Sequence, residues 1–276
     1  MTKHNSKDVY KTRLRDNQFA PRLRTQIWRE TPTGDNPYIP SHSHLHGYDI
    51  FELLEKRSFV DVFYLLFQGE LPTTGQARLL EALMVGLINP GTRHPATRAA
   101  INTGIGKTDT AHILPISLMA IGGKHLGGNE VPDAMRFLNK HYRNDPEDVI
   151  SALLESSNPP KEGDWHITPG FGTRFSGIDA IPSKLAKTLS DIPSETPVLA
   201  WGTRFAALLE DQAGCGWLTT GVAAAVFSDL GIQPRAGAGL FQLVCAPGLL
   251  AHGLEMSNKP ITAMPFIDDD HYVFEE

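Results

Sequence analysis

Residues 122–142 read GGKHLGGNEVPDAMRFLNKHY, a glycine-rich segment that passes into a helical pattern. Glycines lie on both sides of His125, and glycine lets a backbone approach another group closely. A helix is predicted from Val131 or Pro132 to Tyr142, with proline near its first turn. The amides of a helix start suit an anionic or carbonyl ligand, and their dipole disfavours a charged histidine. His125 is therefore a candidate neutral hydrogen-bond donor to a ligand; the alternative is a satisfied histidine at a tight helix–helix contact.

Helical patterns continue on both sides of this segment, and alternating strand patterns are nearly absent. The helices are predicted after Asp49, from Ser58, over 76–88, from Asp109 to Ile121, over 132–142, after Asp145, and over 182–190, 196–211, 218–230 and 237–256. Residues 1–40 are polar and predict an extended or partly mobile arm. The fold class expected is mainly α, with about ten helices joined by short loops.

Composition limits the function classes. The 276 residues are 41% apolar, enough for a packed core in one large domain or two. A net charge of −6 argues against a nucleic-acid partner. Two cysteines make no disulfide framework, and the polar N-terminus does not resemble a signal peptide. The uncharged stretch 236–254 approaches the length of a membrane span, but its proline, histidine and glycines favour a buried helix pair. A soluble, cytoplasmic protein is expected.

Short motifs add little by themselves. Residues 106–108 read GKT but lack the first glycine and the strand of a phosphate-binding loop. His42, His44 and His46 would share one face of an extended segment and could hold a metal. A polar loop with surface histidines is favoured, because no carboxylate or cysteine cluster completes a site, so no metal is expected. The loop 158–177, rich in proline and glycine, is the predicted boundary or mobile closing segment.

Several blocks of sequence follow one another in a recognisable order. They are HGYD at 46–49 with GELP at 69–72, HLGGNE at 125–130, GFGTR at 170–174, DLGI at 229–232 with PGLLAH at 247–252, and PFIDDDHY at 265–272. Together they resemble the citrate synthase superfamily, in particular its short citryl-CoA-lyase-like members. The resemblance implies a two-domain, all-helical fold with the active site in a cleft. Residues 41–127 and 217–276 would form the large domain and 128–216 an inserted small domain.

The resemblance also implies a homodimer that acts on a coenzyme A thioester through an enol, forming or cleaving a carbon–carbon bond. His125 stands where the family has the histidine that binds the thioester oxygen. Thr173 and Thr220 stand where the family has its second histidine and its aspartate base. A threonine hydroxyl has no pKa near neutrality and cannot replace either group.

The implied binding residues are also altered. His94 and Arg174 are the expected substrate contacts, whereas Cys245 replaces an arginine that would clamp a carboxylate. Ile181 occupies the place of a second such arginine. The expected cofactor-binding residues belong to the two glycine-rich segments: Gly127, Gly128, Gly170, Phe171 and Gly172.

Two hypotheses remain open at this stage. The chain is an enzyme that joins or splits an acyl-CoA and a small carbonyl compound or carboxylic acid less anionic than oxaloacetate. Alternatively, it is a non-catalytic homologue that binds an acyl-CoA or pairs with an active paralogue. The intact glycine frame around His125 favours the enzyme.

Overall fold

The computed structural model describes residues 22–265 and 267–275. The chain divides into two compact units, residues 1–56 and 57–276, which are treated separately below. This division does not test the predicted inserted domain at 128–216, which stays a prediction. Residues 1–21 of the predicted arm and Phe266 of the tail block lie outside the described residues.

The first unit contains a small sheet that the sequence did not predict. Strands β1 (Trp28–Pro32), β2 (Pro40–Leu45) and β3 (Tyr48–Asp49) pair antiparallel in that order, followed by helix α1 (Ile50–Lys56). All five residues of β1 are exposed, so no alternation of apolar and polar residues marks the strand. Residues 28–32 of the predicted arm are thus hydrogen-bonded into a sheet.

Two of the three alternating histidines lie in the central strand of this sheet. His42 and His44 belong to β2, whereas His46 follows it with a left-handed backbone, φ 47°. Among the described residues there is no group of three or more histidine, cysteine, aspartate or glutamate side chains placed to hold a metal ion.

The second unit is helical, which confirms the predicted fold class. Its helices are α2 (Phe59–Gln68), α3 (Thr74–Leu87), α4 (Pro95–Ile105), α5 (Ile113–Ile121), α6 (Val131–His141), α7 (Pro146–Ser156), α8 (Ala180–Ser190), α9 (Pro197–Ala213), α10 (Thr219–Asp229) and α11 (Pro234–Ser257). Two short strands, β4 (Phe171–Gly172) and β5 (Gly216–Trp217), pair antiparallel between them. Ser58 and Asp61 form the predicted capping box of α2.

Helix α4 was missed by the sequence analysis. Its sequence, PATRAAINTGI, has no continuous apolar stripe, because its buried positions are filled by alanine, threonine and glycine. These small residues let α4 pack closely along α11: a β-carbon on Gly104 would lie 2.0 Å from the carbonyl oxygen of Gly253. The sequence does contain a signal for the start of α4, because His94 is its N-cap and Pro95 lies in its first turn.

Helix α11 is the long uncharged segment. Among the described helices it alone has the length and apolar composition of a membrane span. It is a single helix, as the pattern over 237–256 predicted, and not a pair within 236–254. It packs along α4, α5 and α6 as a core helix does. Pro247 lies inside it, and the amide of Gly248 donates to the carbonyl of Ile88 at 2.9 Å. This contact fixes the loop between α3 and α4 against α11.

Candidate functional site

The glycine-rich segment that opened the sequence analysis connects α5 to α6 through a short 3-10 turn. Gly127 is required for close packing, because a β-carbon there would lie 2.4 Å from the carbonyl oxygen of Gly123. Leu126 has a left-handed backbone, φ 53°, which is rare for a leucine. Its carbonyl oxygen lies 3.1 Å from Nε2 of His94. The segment therefore folds back so that His94 meets the residue beside His125.

His94 is held as a neutral imidazole. Its Nδ1 accepts from the amide of Ala96 at 3.1 Å, so the proton is on Nε2, which donates to the carbonyl of Leu126. Burial lowers the pKa of His94, and the nearby charges of Arg174 and His125 lower it further, against the hydrogen bond to Leu126. His94 thus joins the start of α4 to the glycine-rich segment.

His125 is exposed and stacks on a second histidine. The ring centroids of His125 and His166 are 5.0 Å apart, with 25° between the ring planes. His166 lies in the loop that the sequence analysis predicted as a closing segment. His166 belongs to no sequence motif and was not predicted as a site residue.

Glu130 is the centre of the polar network around these histidines. Its carboxylate is buried, with only 6% of the residue exposed. Oε1 accepts from the amide of Gly170 at 3.1 Å and from Nδ1 of His166 at 3.3 Å, and Oε2 accepts from the hydroxyl of Thr220 at 2.8 Å. One carboxylate therefore holds together the start of α6, the loop before β4 and the start of α10.

Two glycines bring the loop before β4 into contact with the start of α10. A β-carbon on Gly221 would lie 2.1 Å from the carbonyl oxygen of Gly170, and Gly170 itself has φ +85°. The amide of Leu218 donates to the same carbonyl at 2.9 Å. Next to this contact, Phe171 stacks on Trp217 with the ring centroids 4.3 Å apart. The segment 169–172 is thereby fixed on the aromatic core at the start of α10.

A cavity of about 570 Å³ opens beside this contact. It is lined by the loop 86–94, by Leu126, by residues 174–182, and by side chains of α10 and α11, including Cys245. The cavity is also lined by the three expected substrate-binding positions, which lie far apart in the chain: His94, Arg174 and Cys245. Their roles as substrate contacts stay predictions.

The charge of this cavity is largely balanced. Arg174 donates to Asp179 at 2.9 Å, and both side chains are mostly buried. Arg93 lies on the rim, exposed to solvent. Burial raises the pKa of the Cys245 thiol to about 12, so it is neutral at physiological pH. Apolar side chains complete the wall: Leu87, Ile178, Ile181, Pro182, Leu218 and Phe241.

A smaller recess of about 190 Å³ is lined by Glu130 and His166. Lys124, Asp133 and Pro169 complete its lining. It therefore combines a buried carboxylate, an imidazole and an ammonium group beside the exposed His125.

The predicted catalytic threonines have structural partners. Thr173 accepts from the amide of Trp165 at 2.8 Å, and its own amide donates to the carbonyl of the same residue. Thr220 is fully buried and donates to Glu130. Neither side chain lines the 570 Å³ cavity. The assignment of His125, Thr173 and Thr220 to the family's catalytic positions stays a prediction.

The expected cofactor-binding residues also have packing roles. Gly127, Gly128, Phe171 and Gly172 are buried, and Gly170 makes the contact with Gly221. Their predicted contact with a cofactor is not tested by these packing interactions.

No family model matches the sequence, and no curated protein matches it. Solved structures do match. Citryl-CoA lyase from Hydrogenobacter thermophilus is 25% identical, with a TM-score of 0.72, over 92% of this chain and 94% of that chain. ATP citrate lyase from Methanosaeta concilii, in complex with (3S)-citryl-CoA, is 18% identical, with a TM-score of 0.68, over 92% of this chain and 43% of that chain. A third match is citrate synthase from Thermoplasma acidophilum, in a ternary complex with carboxymethyl coenzyme A and oxaloacetate. It is 18% identical, with a TM-score of 0.59, over 79% of this chain and 57% of that chain.

The likeness to citryl-CoA lyase extends over nearly the whole of both chains, and the citrate synthase has the same helical fold. The chain is accordingly a member of the citrate synthase superfamily, close in structure to citryl-CoA lyase.

Proposed function

We propose that this protein acts on a coenzyme A thioester and forms or cleaves a carbon–carbon bond next to the thioester carbonyl. The superfamily membership supports action on a coenzyme A derivative. His125 would donate a hydrogen bond to the thioester oxygen as an enol develops, because its side chain is exposed on the glycine frame. No metal is required by this proposal.

The second reactant is a small carbonyl compound or carboxylic acid less anionic than oxaloacetate. The observation behind this proposal is the charge of the 570 Å³ cavity, where Arg174 is already paired with Asp179 at 2.9 Å. Binding of two carboxylates usually calls for further arginines in bidentate geometry. Cys245 and Ile181 line this cavity and bring no positive charge. A second reactant with one carboxylate and an apolar remainder therefore fits this lining better than a dicarboxylate does.

A product screen tests this choice. Acetyl-CoA is incubated with 2-oxo acids that carry one or two carboxylates, and the products are separated by mass spectrometry. Products with the one-carboxylate acids alone are expected for the natural chain. Cys245→Arg is expected to shift the preference toward oxaloacetate, because Cys245 lines the cavity. The matched control is Leu243→Lys, which adds a positive charge at an exposed position of the same helix. Products from oxaloacetate with the natural chain would contradict the proposal.

A non-catalytic homologue is the second candidate, and a specific observation favours it. Both threonines that replace family catalytic groups are engaged in structural hydrogen bonds, to Trp165 and to Glu130. Such a protein would bind an acyl-CoA without turning it over. Tight binding of acetyl-CoA with no product from any 2-oxo acid would support this candidate over the enzyme. In either case we propose a cytoplasmic homodimer.

A further inference from the structure

His166 has the hydrogen bonding of an oriented acid–base histidine. Its Nδ1 lies 3.3 Å from Oε1 of Glu130, a contact in which the ring N–H donates to a carboxylate oxygen. Nε2 is then the free position of the ring. Nε2 is buried and has no hydrogen-bond partner among the described residues. A buried polar atom without a partner calls for an explanation, and a reacting group is one.

The position of His166 brings its imidazole ring to the candidate site. Its ring stacks on His125 at 5.0 Å, and its side chain lines the 190 Å³ recess with Glu130. Glu130 is anchored from the other side by the amide of Gly170 and the hydroxyl of Thr220. The carboxylate is therefore held in place by groups that do not depend on His166.

We propose that His166, oriented by Glu130, is the proton-transfer residue of this site and does the work for which Thr173 and Thr220 lack the chemistry. The proposal rests on the proposed function, in which His125 holds the thioester oxygen. Nε2 of His166 takes a proton from the α-carbon of the acyl group. The carbon–hydrogen bond breaks, its electron pair forms the carbon–carbon double bond of the enol, and the thioester oxygen takes up the charge against His125. The reverse step returns the proton, so no oxidant or further reactant is needed.

Charged groups around His166 set the pH at which it can act as a base. The hydrogen bond and charge of Glu130 raise the pKa of His166, Asp164 raises it further, and burial opposes them. His125 faces its ring, and Lys124 and Asp133 face it across the recess. The neutral base is present only above this raised pKa, so proton abstraction is expected to increase with pH through that value.

Exchange of the methyl protons of acetyl-CoA in heavy water, followed by NMR, tests the proposal without any second reactant. The natural chain is expected to catalyse exchange, and His166→Gln to slow it about 10²–10⁴-fold, the usual contribution of an acid–base group. Glu130→Gln keeps an oxygen for the Gly170 amide but removes the charge. It is expected to move the midpoint of the pH–rate profile to lower pH, which a purely structural role would not do.

The matched control is His141→Gln. His141 also lies against an aromatic ring, that of Phe137, with the ring centroids 4.9 Å apart and 40° between the planes, and no carboxylate of the described residues pairs with it. Its variant is expected to exchange protons at the natural rate. Calorimetric binding of acetyl-CoA and the melting temperature are measured for every variant, so that unfolding is not mistaken for lost chemistry.

The outcomes separate the two proposals. If the natural chain does not bind acetyl-CoA, the proposed function fails, and the role of His166 fails with it. If it binds acetyl-CoA but catalyses no exchange, or if folded His166→Gln exchanges at the natural rate, the role of His166 is overturned while coenzyme A binding stands.

Discussion

Replacement of Gly221 by alanine tests the contact that joins α10 to the segment before β4. The added β-carbon would lie 2.1 Å from the carbonyl oxygen of Gly170 and 2.9 Å from its α-carbon. A backbone carbonyl cannot rotate away as a side chain can, so the two segments must separate. Overpacking of this kind costs about 1–3 kcal/mol, and the helix preference of alanine over glycine returns at most about 1 kcal/mol. Because the overlap is with backbone, we expect a net loss of about 2 kcal/mol.

Urea unfolding followed by circular dichroism measures this loss. A decrease of about 2 kcal/mol corresponds to a fall in melting temperature of about 4–8 °C for a chain of this size. Gly239→Ala is the matched control, because Gly239 is an exposed position of α11 with no atom within 4 Å of the added β-carbon. That variant should be stabilised by up to about 1 kcal/mol. A Gly221→Ala chain as stable as the Gly239→Ala chain would refute the close contact between α10 and Gly170.

Four further predictions follow from the site and the core. The natural chain should make no measurable citrate from acetyl-CoA and oxaloacetate, since Ile181 and Cys245 offer no positive charge to the second carboxylate of oxaloacetate; citrate in a coupled assay would contradict the alignment of these positions. Cys215 and Cys245 should react with a thiol reagent only after unfolding, because burial raises their pKa values to about 11 and about 12; rapid modification of the folded chain would argue otherwise. Burial raises the pKa of Asp229 from 3.8 to about 6, so the folded chain binds this proton more tightly than the unfolded chain. The free energy of unfolding should therefore decrease as the pH rises from about 4 to about 6. An NMR titration midpoint near 4 would be inconsistent with the burial of Asp229. Sedimentation should give twice the 30.3 kDa chain mass, and a 30 kDa species alone would exclude the proposed dimer.

Most of the helices could be predicted from local sequence signals. The capping box of α2, the proline-initiated α6 and α7, and the apolar stripe of α3 depend on neighbouring residues, so they can be read from the sequence. Helix α4 buries small residues against α11, and strand β1 is exposed throughout, so neither shows a periodic pattern. Packing between distant segments decided both elements.

The same distinction applies to the site. The family resemblance gave His94, Arg174 and Cys245 as substrate-binding positions, and in the structure all three line one cavity. Glu130 was quoted only as the end of a glycine-rich motif, and its three hydrogen bonds reach residues up to 90 positions away. His166 lies 36 positions from Glu130 in an irregular loop. No local pattern could have paired them, although a histidine in the predicted closing loop was a signal that deserved weight.

The most direct test of the central claim is whether His125 recognises the carbonyl of a coenzyme A thioester. Calorimetric titrations compare acetyl-CoA with S-ethyl coenzyme A, a thioether of the same size without the carbonyl oxygen, against the natural chain and His125→Ala. The natural chain should bind acetyl-CoA more tightly than the thioether by about 0.5–1.5 kcal/mol, the net worth of one hydrogen bond. That preference should vanish in His125→Ala while the affinity for the thioether is unchanged. Failure of the natural chain to bind either compound, or an equal preference for the thioester in both chains, would contradict the account.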